Sequence, residues 1–529
     1  MKNKFIYFAV IAALGFASCE PEFETEVSDA SYSSGEADFS SYVAIGNSLT
    51  AGFMDNTVSR GGQAYSYPNL LAKQFKVVGG GEFTQPSYAD DVNNLGGLTL
   101  GGQVIRGTRL VIDYSVKLPE NIAGTPTIEV SNLQAKAYNN MGVPGAKSFH
   151  LLAPGYGNLS GVQQQTANPY FVRHATTPNA TVLGDAMIKK PTFFTNWIGS
   201  NDVLSYATSG GVGVDHNATG NMDPSTYGGS DITNAAAFKV VYEEIVNTLT
   251  SGGAKGVVCT IPSVTAIPLF TTVPYNPLTV VTVADGNQAA YEATINALNA
   301  QLYSRLKQVL TAFGAGNRIN LLSTTSANPL LIKDETLQDL SAELTAALTP
   351  LLGADDAAEY GEAFGQARQT TAQDLVLLTT RPVIGTAPED VPALINKYGI
   401  TYPLEDNHIL IPSEKKAIAD ATSAYNAAIK SAAATKGLAV ADMNAIMNKL
   451  ANGLRLDDGQ IYTADYFTLA GSLNNYSTVL FSLDGVHPNP RGYAVLANEI
   501  IKVINSHYKA KLPIHEIGGF PGITILGSN

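Results

Sequence analysis

The chain has almost nothing with which to cross-link itself. Only two cysteines occur in 529 residues. Cys19 closes an N-terminal apolar run, and Cys259 lies in Gly256-Val-Val-Cys-Thr, which reads as a buried strand. That excludes an internal disulfide framework and a cysteine-based metal cluster in the mature protein. Charge is also scarce: 15% of residues carry it, against 45% hydrophobic, so the chain can build a core and does not read as disordered. No block of lysine and arginine occurs, and the formal net charge is −13, so no nucleic acid partner is expected. Several catalytic signatures are missing too. There is no Gly-x-Ser-x-Gly elbow, no Gly-Lys pair of a Walker loop and no His-Glu-x-x-His zinc helix. Gly155 and Gly157 lack the third glycine of a dinucleotide fingerprint, since Ser160 stands there. No metal and no organic cofactor is expected. Beyond the N-terminus no apolar run is long enough to span a bilayer.

What is present begins with a targeting segment. Lys2 and Lys4 precede an apolar run from Phe5 to Phe16, the length of a signal-peptide core. Phe16-Ala17-Ser18-Cys19 follows and resembles the processing site of a bacterial lipoprotein. On that resemblance residues 1–18 are a signal peptide and Cys19 is the lipidated first residue of the mature chain. Residues 19–40 then form an acidic, serine-rich tether containing Glu20, Glu22, Glu24 and Glu26. The expected location is the cell envelope, on an outer membrane reached through the lipid anchor, with surface exposure one option.

From residue 41 strands and helices alternate. Tyr42–Ile45 reads as a short strand ending at Gly46. Tyr67–Phe75 reads as a helix with Pro68 in its first turn. Asn140–Gly145 reads as a strand and a Gly/Pro turn, Pro191–Ile198 as a buried strand, Ala235–Leu249 as a helix and Lys255–Ile261 as a strand. Residues 287–313 and 334–380 read as helices, the second as a possible lid over an apolar substrate. Ser413–Thr435 is a further helix with Ser413 as its cap. Gly437–Asp442 is a fifth strand, and an apolar stripe from Tyr493 to Ile504 marks a last helix. This alternation implies an α/β fold with a parallel sheet covered on both faces. Ligands of such sheets gather outside the carboxyl ends of the strands.

Polar turns carry the chemistry. Gly46-Asn47-Ser48-Leu49 follows the first strand, where a serine can expose its hydroxyl or serve simply as a helix cap. Asp484-Gly485-Val486-His487 precedes the last helix. A carboxylate three residues from an imidazole can fix its tautomer and leave Nε2 as a base; the alternative is a surface loop. Gly199-Ser200-Asn201-Asp202 offers the Asn201 amide to a developing oxyanion, while Asp202 suits Asx-type bonds within its loop. Gly142 could lend a backbone N–H to the same oxyanion. His408, beside Asp406, is a rival base. His174 and His216 lack an acidic partner at useful spacing. Trp197 reads as core at a strand end.

Together these four blocks, in this order, resemble those of the SGNH (GDSL-like) hydrolases. The resemblance implies a three-layer α/β/α sandwich around a short, flavodoxin-like parallel sheet, spanning residues 41–510. It implies Ser48 as nucleophile, His487 as base and Asp484 as its orienter, with Ser48, Gly142 and Asn201 forming the oxyanion hole. Asn47 replaces the aspartate of the family's name-giving motif. Residues 79–134, 203–234 and 262–436 fall outside the blocks and read as insertions, and 511–529 as a tail. The implied activity is acyl-enzyme hydrolysis of a carboxylic ester, whose substrate could be a lipid, a small ester or an acylated glycan. A carbohydrate O-acyl esterase and a non-catalytic surface lipoprotein are the alternatives.

Overall fold

A computed structural model describes residues 31–113, 118–389, 391–456, 458–468 and 475–526. The signal peptide, Cys19 and the first part of the tether lie outside the described residues. Among those described, no helix is long and apolar enough to cross a membrane.

Five strands form the central sheet: β1 (Tyr42–Gly46), β2 (Asn140–Gly142), β3 (Phe193–Trp197), β4 (Lys255–Cys259) and β5 (Ala439–Ala441). Their order is β2-β1-β3-β4-β5, and every pairing is parallel. In β1 and β3 every residue is buried. That is why they read as continuous apolar runs rather than as alternating ones. Gly46, the last residue of β1, is in register with Gly142 on one side and Trp197 on the other.

Helices flank the sheet. On one side pack α1 (Ser48–Ala51), α2 (Tyr67–Val77) and, against α2 and β5, the terminal helix Pro490–His507. A second group comprises α3 (Val182–Ile188), α4 (Asn201–Thr208), α5 (Ala235–Thr250) and the long helix Pro412–Lys436, which lies along α4 and α5. Terminal-helix formation is written locally. Asn489 accepts the N–H of Gly492 at 2.9 Å and Pro490 opens the first turn. The stripe Tyr493, Ala497, Ile500, Ile501 and Ile504 is wholly buried, each large side chain contributing roughly 1.5–3 kcal/mol.

The region between β4 and β5 holds most of the insertion. Its helices are α6 (Gln288–Leu298), α7 (Ser304–Ala312), α8 (Ser341–Leu352) and α9 (Ala354–Phe364), with a π turn at Asn299–Tyr303 joining α6 to α7. They enclose a core of their own that includes Tyr291, Leu306, Leu344 and Phe364. Several sequence expectations are corrected here. Residues 334–380 are not one helix: Gly353, at φ +85°, breaks it, and strand Ala367–Gln369 follows, paired with Leu331–Lys333. The insertion ends before Pro412, because Ile418, Tyr425 and Ile429 of helix α10 (Pro412–Lys436) belong to the main core. Ser413 does not cap α10. Ile411 is the cap residue, and Glu414 accepts its N–H at 2.8 Å. Residues 203–208 belong to α4 of the scaffold. After β5 come α11 (Met443–Ala451) and then α12, the terminal helix already described.

Both ends of the domain are also tighter than expected. Phe39, within the expected tether, stacks on Phe75 with ring centroids 4.0 Å apart. Within the expected tail, Leu512 and Ile517 are buried in the main core, and Ile525–Leu526 pairs with Ile112 and Asp113 of the strand Leu110–Asp113. The described residues of 79–134 do form the turns and short strands expected of them.

Candidate active site

The switch in strand order falls between β1 and β3, where a doubly wound sheet opens a crevice at its carboxyl edge. Ser48 begins α1 directly after β1. Asn47 is the cap residue, its side-chain oxygen accepting the N–H of Leu49 at 3.2 Å. Ser48 is therefore released from the capping role, and its hydroxyl meets Nε2 of His487 at 2.8 Å. The other ring nitrogen, Nδ1, lies 2.9 Å from Oδ2 of Asp484. The structure thus brings together the three residues that the sequence holds far apart.

A tight turn holds Asp484 against the ring. Gly485 takes φ +71°, Ser482 N–H donates to the His487 carbonyl at 2.7 Å, and Oδ1 of Asp484 accepts the N–H groups of Val486 and His487, each at 2.8 Å. Asn56 N–H adds a fourth hydrogen bond, to Oδ2 at 3.1 Å. Burial pushes the Asp484 carboxyl up, but His487 and these backbone donors outweigh it and hold the group below the usual carboxylate range. It stays an acceptor, so Nδ1 keeps its proton and Nε2 faces Ser48 with a lone pair.

The segment after α1 supplies three residues that motif reading missed. The Phe53 ring lies 4.6 Å from that of His487. Asn56 bonds Asp484 as described. Asp55 is buried, with Oδ1 accepting the N–H of Leu483 at 3.1 Å and its own N–H donating to Oγ of Ser482. Burial, joined by the charge of Asp484, pushes its carboxyl up to about 7 despite the Leu483 N–H. Residues 55 and 56 therefore clamp the turn that carries the base. Asp55 has φ +52°, a backbone setting that aspartate tolerates better than most side chains; that tolerance was the only cue available.

The oxyanion donors need one correction. The N–H of Gly142 is engaged by Oδ1 of Asn140 at 3.0 Å, so it is not free for substrate. What Gly142 provides is close approach: a Cβ there would stand 2.2 Å from the nitrogen of Ala51. Three residues on, Gly145 occupies the third position of a turn closed by Ala146 N–H on the Val143 carbonyl, at φ +80°. Pro144-Gly145 is the signature of such a type II turn. The N–H groups of Gly145 and Ser48 find no acceptor among the described residues. Asn201, first residue of α4, donates one amide N–H to the Ala146 carbonyl at 2.9 Å, which ties it to the same turn and leaves the second N–H to give.

Asp202 does not bond within its own loop. Its carboxylate accepts Ser148 N–H at 2.8 Å and Ser148 Oγ–H at 2.7 Å, fastening α4 to the chain that leaves β2. Trp197 is core, as expected. The remaining histidines stand elsewhere. His408 contacts Thr380 in the insertion. His174 is buried, and burial together with Arg173 holds its ring down to about 3. His216 does have an acidic partner, contrary to its sequence spacing: Nε2 lies 2.8 Å from Asp231, and Tyr227 stacks on the ring.

One group of side chains among the described residues could hold a metal ion. Carboxylate oxygens of Glu335, Asp406 and Glu414 lie within 4.8 Å of one another. Burial and mutual repulsion push Asp406 to about 6 and Glu414 to about 8. Glu335 and Asp406 belong to the insertion and Glu414 to the first turn of α10. Comparison of the chain with family models, curated proteins and solved structures gave no match.

Proposed function

We propose that the chain is a serine hydrolase of the SGNH type that cleaves carboxylic esters through an acyl-enzyme. The observation that carries this reading is the unbroken relay Ser48 Oγ–His487 Nε2, His487 Nδ1–Asp484 Oδ2, at 2.8 and 2.9 Å, on the carboxyl edge of a parallel sheet. In this reading Ser48 attacks the ester carbonyl while His487 takes its proton. Negative charge develops on the carbonyl oxygen, to be met by the N–H groups of Ser48 and Gly145 and the second amide N–H of Asn201. His487 then gives its proton to the departing alcohol. Water, deprotonated by the same ring, hydrolyses the acyl group from Ser48. The strand order β2-β1-β3-β4-β5 supports the flavodoxin-like form of the sandwich. A surface lipoprotein using the fold only for binding would have no need for a hydrogen-bonded serine and imidazole.

The same proposal places the protein on the cell envelope, held by a lipid on Cys19. The decisive experiment is labelling with a fluorophosphonate probe and hydrolysis of p-nitrophenyl acetate by wild type and Ser48→Ala. Loss of both activities in the variant is expected; hydrolysis at the wild-type rate would overturn the assignment. Radiolabelled palmitate incorporation, lost in Cys19→Ala, tests the anchor.

A further inference from the structure

A pocket of about 90 Å³ opens beside the relay. All of its lining side chains are apolar. Its near wall is made by Leu49, the neighbour of Ser48, and by Val486 and Pro488, the neighbours of His487. Leu49 and Val486, the lining residues next to the relay in the chain, are half-buried. From there the pocket runs past Trp197, the last residue of β3, to Met443 and Met447 on α11, after β5. A cleft this apolar, leading away from a polar relay, gains nothing from water and is suited to hydrocarbon.

Resting on the reading of Ser48 as nucleophile, we infer that this pocket takes a short unbranched alkyl chain of the substrate ester. The volume sets the scale. A closed cavity of roughly 150 Å³ takes a benzene ring, so 90 Å³ with an open mouth suits a chain on the order of four to six carbons. A long fatty chain would overrun α11, while an acetyl group would leave the pocket empty. Met443 and Met447 give the far wall some compliance, because methionine side chains adjust to irregular space. The alkyl chain belongs either to the acyl group or to the alcohol, and two ester series separate these sources.

The full chain is assayed on p-nitrophenyl esters from acetyl to dodecanoyl and on alkyl acetates from methyl to octyl. In the series that fills the pocket, kcat/KM rises about three- to fivefold per methylene, then levels near six carbons. The series that rises names the side of the ester. Met447→Phe and Leu450→Phe, both on α11, lower the six-carbon preference at least about fivefold. A readout independent of turnover comes from Trp197, the only tryptophan of the chain. In Ser48→Ala, hexanoate or hexanol shifts its emission saturably, and acetate or methanol does not. Flat profiles in both series with an unresponsive Trp197, while hydrolysis still depends on Ser48, overturn the pocket assignment and leave the reading of the relay standing. Hydrolysis that survives Ser48→Ala overturns the reading of the relay and the inference with it.

Discussion

Nε2 of His487 stands 2.8 Å from Oγ of Ser48, although 439 positions of chain separate them. The approach is directional, because Asp484 holds the opposite ring nitrogen and accepts two further N–H groups from the same turn.

Replacing Asp484 by Asn keeps the size of the side chain and turns an acceptor toward a donor, which favours the wrong tautomer of His487. The expected outcome is a fall in kcat of roughly 10³–10⁴ with KM nearly unchanged. Steady-state kinetics on a p-nitrophenyl ester checks it, and a loss under about tenfold would count against the relay.

Asn201→Ala removes the side-chain donor beside Gly145 and also the hydrogen bond to the Ala146 carbonyl. Turnover should drop by about 10²–10³, the usual effect of losing one oxyanion donor. Fluorophosphonate labelling of Ser48 should slow in parallel while the melting temperature changes little. Equal damage to folding and activity would assign Asn201 to structure alone.

Gly142→Ala separates close packing from donation. The new Cβ would face backbone atoms of Thr50 and Ala51 at 2.2–2.6 Å, and backbone cannot move aside as a side-chain tip can. Destabilisation of at least about 1–3 kcal/mol is expected, read as a lowered midpoint in urea.

Asp55 and Asp484 respond to pH in opposite senses. The Asp55 carboxyl is pushed up to about 7, so the folded protein keeps its proton where the unfolded chain has lost it. Its contribution is complete below about pH 4 and is lost as pH rises through 7, a change on the order of 4 kcal/mol. Asp484 is held low, so its contribution is present above about pH 4 and is lost only as acid protonates the folded carboxyl. Asp55→Asn can still accept the Leu483 N–H. Wild type is expected to lose stability between pH 4 and 7, and thermal melts of the variant should show a flatter decline.

Within the insertion, Arg368 pairs with Asp334 at 2.6 Å and with both oxygens of Asp374 at 2.6 and 2.8 Å. The Asp374 side chain is fully buried. Arg368→Leu leaves that carboxylate without its cation, and a loss of about 3–5 kcal/mol is expected. Limited proteolysis should show cleavage moving into residues 331–376 ahead of the main core.

Ser48, Asn201, Asp484 and His487 were legible because each lies in a short polar turn directly attached to a strong apolar strand or helix. Strand order was not legible, since it depends on which crossover lies on which face. The choice between Gly142 and Gly145 turned on where one N–H goes, and spacing says nothing of that; Pro144-Gly145 was the overlooked cue. His216 and Asp231 escaped notice because fifteen positions of irregular chain fold back on themselves to join them. The alanine and leucine content of 334–380 favours helix throughout, but Gly353 at φ +85° ends α8. The insertion's own core, to which Tyr291 and Phe364 both belong, is tertiary and has no local signature.

The two halves of the relay sit at opposite ends of the coding order: β1 with Ser48 is among the first parts of the folded domain to leave the ribosome, and the turn with His487 among the last. A nascent or prematurely terminated copy therefore carries an unarmed hydroxyl. Under the proposed activity, the serine gains its base only once the final turn and helix have docked.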